Sequence, residues 1–199
     1  MGACAFDIIV DYVDVISSGS VIEIGATRGE GSTYFFMGFL HNSKKHNFIT
    51  IDINPETTRH LEKYKRMGNI DVLTGDGCAM LDKISQPIAF AYLDNFDLIR
   101  PGTENSIPII EQIEKYKKDF NLEMHNDNCY KAHLEQTKKI VEKCAEKCII
   151  QFDDTHFDQK WIGKGATAVP WLLGQGWHVL PQHFDPWTSD DYVALSNFT

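Results

Sequence analysis

The chain has 199 residues, 43% of them hydrophobic, with 28 acids against 19 bases and a formal net charge of −9. That size suits one well-buried core and is short for two, so a single domain over 1–199 is expected. The acidic balance repels polyphosphate, and no apolar run nears the roughly 20 residues of a membrane span, so neither nucleic acid nor membrane is expected as a partner.

In chain order, MGACAFDIIVDYVD carries three Asp and no basic region, and does not read as a secretory signal. The five Cys form no CxxC pair and read as reduced thiols of a cytoplasmic protein. Phe6, Ile9, Val10, Val13 and Ile16 recur at helical spacing, and Ser and Gly at 17–20 end that helix. The stretch 21–33, VIEIGATRGEGST, reads as a strand, a tight turn with Gly25, Gly29 and Gly31, and a helix starting at Ser32. Such a turn cradles nucleotide-like ligands, because glycine reaches φ > 0 and lets a ligand approach the backbone. Glu23 beside it disfavours a pyrophosphate and favours a cationic or amine-bearing ligand, which points to S-adenosylmethionine (SAM).

Strands follow at 48–53, 70–73 and 88–93, with helices at 33–40, 56–67 and 78–84 between them; Asn54-Pro55 makes an N-cap and first helical position. Strand–helix alternation predicts right-handed βαβ units and a parallel sheet covered on both faces. The rhythm breaks at 95–128, a long connection with an amphipathic segment of Ile109, Ile110, Ile113, Tyr116 and Phe120. A helix at about 129–146, a fifth strand at 148–152, a Gly-punctuated loop and helix at 163–174 and two closing strands at 177–180 and 192–195 complete the chain.

In an open parallel sheet, ligands bind beyond the carboxyl ends of the strands. Those ends carry Gly25, Asp52, Asp76, Asp94 and the pair Asp153-Asp154. Asp52 lies 21 residues beyond Gly31, where a doubly wound fold needs an acceptor for ribose hydroxyls. Asp76, between two glycines, could accept from an adenine amino group.

VIEIGATRGEGST, FITIDINPE, LTGDG, AFAYLDN, IIQFDDT and KGATAVPWLLGQGW, in this order and spacing, resemble a class I SAM-dependent methyltransferase, and among these the small-molecule O-methyltransferases of the catechol and natural-product type. The resemblance spans about 20–180. It implies an α/β fold, a Rossmann-like doubly wound sheet of seven strands, mostly parallel with an antiparallel last strand. It implies that Glu23 and Gly25 line the methionine part of SAM, with Ala26, Gly31 and Ser32 also among the cofactor-binding residues. Asp52 would hold the ribose and Asp76 and Gly77 would face the adenine, with Ile53 also cofactor-binding and Asp94 next to where the methyl group must go. It also implies Mg2+ or another divalent cation on Asp94, Asp153 and Asp154, which would ionise and orient an acceptor hydroxyl. Asp154 departs from the catechol type, which has Asn there. Asp97 stands where some relatives have a catalytic His, so Asp97, His133 and His156 remain open as candidate bases beside Asp94.

The 95–128 insertion, with Phe96, Arg100, Tyr116 and Phe120, is expected to bind a small-molecule acceptor. Trp161, Trp171 and Trp187 are candidates for walling a ring pocket. Related enzymes are often homodimers. Two rival functions stand beside methyl transfer. One is a SAM-binding protein without catalysis, which the intact acid set opposes. The other is a short-chain NAD(P) dehydrogenase, which needs a Tyr with a Lys four residues later, and no Tyr of this sequence has one.

Overall fold

A computed structural model of the chain describes residues 6–26, 31–181 and 192–199. Its central pair is β1 (Gly19–Ile24) and β4 (Ile88–Leu93), which run parallel with Ile24 opposite Leu93. β2 (His46–Asp52) lies on the other side of β1, and β3 (Ile70–Thr74) beyond it. Next to β4 comes β5 (Cys144–Phe152), followed by the antiparallel β9 (Val193–Ser196) and the short edge strand β8 (His178–Val179). The order is β3-β2-β1-β4-β5-β9-β8, seven strands with one reversed relative to the rest. This is the expected doubly wound, Rossmann-like sheet, and its order switches direction between β1 and β4, where such sheets bind ligands.

Both faces of the sheet are covered, which is why its central strands are apolar at nearly every position. Val21, Phe48, Phe90 and Ile149 point to one face, against α1 (Asp7–Tyr12) and α2 (Ser32–Leu40). Ile22, Ile49, Ala91 and Ile150, each one residue later, point to the other. There they meet α4 (Gly77–Leu81), α6 (Asn126–Glu142) and α7 (Ala168–Gly174). The two-residue period of a strand thus builds two cores from one sheet. Phe36 of α2 anchors the first, its ring 5.5–6.0 Å from those of Phe48, Phe90 and Tyr92.

Other elements follow the sequence with small shifts. α3 (Pro55–Leu61) starts on the Asn54 cap, whose side chain accepts from the Glu56 amide at 2.9 Å, but its tail tightens into a 3-10 helix over Glu62–Met67. α6 stops four residues short of the expected end because Cys144 already pairs with Ile88 at the start of β5. α5 (Ile107–Phe120) forms the amphipathic helix expected in the insertion, and it buries none of its residues fully. Between Asp154 and the glycine-punctuated stretch, where the sequence pattern gives no strand, the chain forms a hairpin of β6 (Thr155–Asp158) and β7 (Lys160–Gly163), turned by Gln159 at φ 55°. Among the described residues no helix is long and apolar enough to cross a membrane.

Candidate active site

The carboxyl ends of the strands are tied together by backbone hydrogen bonds. The Gly25 amide donates to Ile51 O at 2.9 Å, Asp94 N to Ile24 O at 2.9 Å, and Asp153 N to Leu93 O at 3.1 Å. Gly25 sits at φ 101°, and a Cβ there would lie 2.6 Å from the Asn95 amide nitrogen, so only glycine lets β1 and the end of β4 approach this closely.

Asp52, nearly buried, accepts from Ala26 N at 2.9 Å on one oxygen and from Asn54 N at 2.7 Å on the other. It therefore fixes the start of the glycine turn while facing the cavity. Glu23 lies deeper and is fully buried. Its Oε2 accepts from the Thr33 and Thr50 hydroxyls at 2.8 and 2.7 Å, which joins α2 to β2. Burial pushes its carboxyl up to about 7, against the pull of the Ser32, Thr50 and Thr33 hydroxyls. Asp76 caps α4, accepting from Ala79 N at 3.0 Å. A Cβ on Gly77 would come within 2.6 Å of Gln136 Nε2, so glycine lets α4 pack on α6 there. Gly31 caps α2 at φ 65°, and the turn residues 27–30, Gly29 included, lie outside the described residues.

A cavity of about 820 Å³ opens along this edge. One end is bounded by Gly25, Asp52, Ile53, Gly75, Asp76 and Gly77, the other by Phe96, Asp97, Gln112, Tyr116 and Phe120. Asp94 and Asn95 stand where the two meet. Seven carboxylates and two lysines line the whole. Phe96 holds a left-handed backbone at φ 61°, a strained conformation for a bulky residue and one often found at functional sites. Its ring lies 5.7 Å from that of Tyr116, which in turn is 6.0 Å from Phe120. Asp97 Oδ2 accepts from the Tyr116 hydroxyl at 2.8 Å and from Gln112 Nε2. Burial, then the Asp97 charge, raise the Tyr116 phenol above its ordinary value. Asn95 Oδ1 and Gln136 Oε1, both of cavity-lining residues, are buried without a hydrogen-bond partner among the described residues.

Beyond Asp94 the acids meet a cation of the chain itself. Carboxylate oxygens of Asp94, Asp153 and Asp154 do converge, all within 4.8 Å of one another. The space between them is taken by the ammonium of Lys164, whose side chain is 2% exposed. Lys164 Nζ pairs with Asp94 Oδ1, lies 3.1 Å from Asp154 Oδ2 and 4.0 Å from Asp153 Oδ2, and reaches Asp94 O at 3.4 Å. Burial alone would lower this ammonium, but Asp94, Asp154 and Asp153 raise it well above the ordinary lysine value, so it is charged. Burial and the neighbouring Asp94 charge push Asp153 up to about 8. Lys164 thus supplies a positive charge to this group of carboxylates.

The hairpin delivers that lysine. Gly163 sits at φ 102°, and a Cβ there would fall 1.7 Å from Asp154 O. Lys164 N donates to that oxygen at 3.2 Å, and Gly165 N to Thr155 Oγ1 at 2.9 Å. Gly-Lys-Gly at 163–165 was the available signal: two glycines flanking one lysine, shortly after an acidic pair.

The candidate bases separate. Asp97 and Asp94 line the cavity. His133 is fully buried off the cavity wall, its Nδ1 2.9 Å from Cys129 O, and burial lowers its imidazole to about 4. His156 is exposed on β6, carried away from the cavity by the hairpin. Arg100 is exposed and outside the cavity wall. Trp161 and Trp171 pack against the second core, and Trp187 lies outside the described residues.

No protein-family model and no curated relative matches the sequence. Solved structures do match in shape. SMU.1697c of Streptococcus mutans, named a candidate methyltransferase and solved with SAH, is 13% identical at a TM-score of 0.52, with 98% of this chain and 99% of that chain covered. An rRNA methylase of Streptococcus thermophilus is 12% identical at a TM-score of 0.56, covering 100% and 99%. A TehB-like SAM-dependent methyltransferase of Corynebacterium glutamicum is 10% identical at 0.50, covering 98% and 87%. At these identities the shared property is the fold, a Rossmann-like sheet of the kind seen in SAM-dependent methyltransferases.

Proposed function

We propose that this chain transfers a methyl group from SAM to a hydroxyl of a small-molecule acceptor. The observation that carries the proposal is the single cavity with two chemically different ends meeting at Asp94 and Asn95. One end offers carboxylates and glycines for a nucleoside, the other an aromatic wall with Asp97. Asp52 would accept from ribose hydroxyls, Asp76 and Gly77 would border the adenine, and Gly25, the one residue of Glu23, Gly25, Ala26, Gly31 and Ser32 that lines the cavity, would stand at the methionine end. The unpartnered oxygens of Asn95 and Gln136 offer acceptors that a bound cofactor can satisfy. When bound, SAM supplies a methyl group on a sulfonium.

The chain's own residues then need only align the acceptor and take its proton. Phe96, Tyr116 and Phe120 would hold an acceptor ring. Asp97 is the preferred base: its two side-chain hydrogen bonds fall on one oxygen, so the other can accept from the acceptor hydroxyl. The acidic lining favours neutral or cationic acceptors and opposes a polyanion such as the rRNA named for the Streptococcus thermophilus neighbour.

Calorimetry with SAH tests the cofactor, and mass spectrometry of hydroxylated small molecules incubated with SAM tests the transfer. SAH binding together with a one-methyl mass gain supports the proposal. SAH binding with methylation of rRNA alone overturns the acceptor class, binding without any transfer leaves a SAM-binding protein, and absence of SAH binding overturns the whole reading.

A further inference from the structure

The carboxylate cluster contains its own cation, and the chain around it is built to hold that cation in place. Lys164 is buried, pairs with Asp94 and Asp154, and lies 4.0 Å from Asp153. Its backbone is fixed on both sides, by Gly163 against Asp154 O and by Gly165 N on Thr155 Oγ1. We propose that Lys164 takes the place of a divalent metal in this site, so that Asp94 is positioned beside the cavity by a covalently attached ammonium and the protein works without metal.

The physical case is one of space and charge. Hard divalent cations sit roughly 2.0–2.6 Å from their oxygen ligands. An ion on Asp94, Asp153 and Asp154 would therefore share its hole with the buried ammonium, two cations held within a few ångströms of each other. Moving the lysine aside would take a buried charge from its carboxylate partners, and its backbone is held beside Asp154 by the Lys164 N to Asp154 O hydrogen bond at 3.2 Å. A lysine is also a point charge with three donors, matched here by Asp94 and Asp154 oxygens, so it can hold both strand ends at once. Lys164 is a positioning residue: it does not line the cavity and would act through Asp94, which does.

The inference concerns the site of the proposed methyl transfer, but its test reads metal binding and fails or succeeds separately. Mn2+ is titrated into the whole protein and into Lys164→Met, with binding read by electron paramagnetic resonance. The wild-type protein is expected to bind no stoichiometric Mn2+ up to millimolar concentrations. Lys164→Met, which opens the three-carboxylate hole at nearly the same volume, is expected to bind one Mn2+ at least a hundredfold more tightly. Lys164→Arg, which keeps the charge, should bind no more than the wild type. If Lys164→Met is unfolded in chelator, recovery of its cooperative thermal transition on adding Mn2+ supports the proposal equally. One tightly bound Mn2+ in the wild-type protein, a folded Lys164→Met no tighter than wild type, or an unfolded Lys164→Met that Mn2+ does not rescue would each overturn it.

Discussion

The two corners of the sheet's carboxyl edge keep their acids in different ways. At the β1–β2 corner, Glu23 Oε2 accepts from the Thr33 and Thr50 hydroxyls, while its buried Oε1 has no hydrogen-bond partner among the described residues, and Asp52 accepts from the amides of Ala26 and Asn54. At the β4–β5 corner, Asp94, Asp153 and Asp154 surround an ammonium. Hydrogen-bond donors can hold a lone carboxylate, and can even hold it in a partly neutral state. Three carboxylates together need an opposite charge. The first corner is therefore held by hydrogen bonds between neighbouring elements, and the second is an ion cluster whose geometry depends on one side chain.

That contrast can be broken, most severely at the ion cluster. Asp94→Asn removes the closest partner of a buried ammonium and should cost about 3–5 kcal/mol of stability, read as a lowered urea midpoint. A loss below about 1 kcal/mol would mean that Asp153 and Asp154 suffice to hold Lys164. Asp52→Ala should leave the protein folded while weakening SAH by about 3 kcal/mol or more, roughly a hundredfold, by calorimetry. Unchanged affinity refutes the ribose assignment.

Glu23 sharpens the comparison through pH. Its carboxyl is raised in the folded protein, so the folded state keeps a proton that the unfolded chain releases. The stability this contributes is full below pH 4.5 and is lost as pH rises through about 7. Glu23→Gln should flatten the decline of stability across that window, a difference of up to about 3 kcal/mol at its upper end. The same slope in both proteins would show that Glu23 does not titrate there. The smallest effect belongs to the acceptor end. Tyr116→Phe removes a hydroxyl bonded to Asp97 and should cost about 1 kcal/mol, read in the acceptor KM with SAH affinity unchanged. A weakened SAH affinity would place Tyr116 at the cofactor end instead.

The sheet was legible because its signals are local and periodic: apolar runs bounded by glycine, each ending in an acid, with Asn54-Pro55 opening α3 as expected. The hairpin β6–β7 was not. THFDQKWIG has one exposed face and only short alternation, and its turn uses Gln159 in place of the glycine or asparagine that marks such turns. His133 shows the opposite failure. A histidine on an amphipathic helix gives no sign of whether its face meets a cavity or a core, and here it meets the core.

What the sequence determined by itself was the order of the elements and the acids at their ends, since strand period, glycine turns and helix caps act between near neighbours. The tertiary structure decided what each acid meets. Lys164 reaches Asp94 across 70 residues, only because a hairpin folds back, Gly163 lets the backbone pass close to Asp154 and Gly165 lets it pass close to Thr155. Spacing along a chain does not encode an encounter of that kind; close packing and the need to neutralise buried charge do.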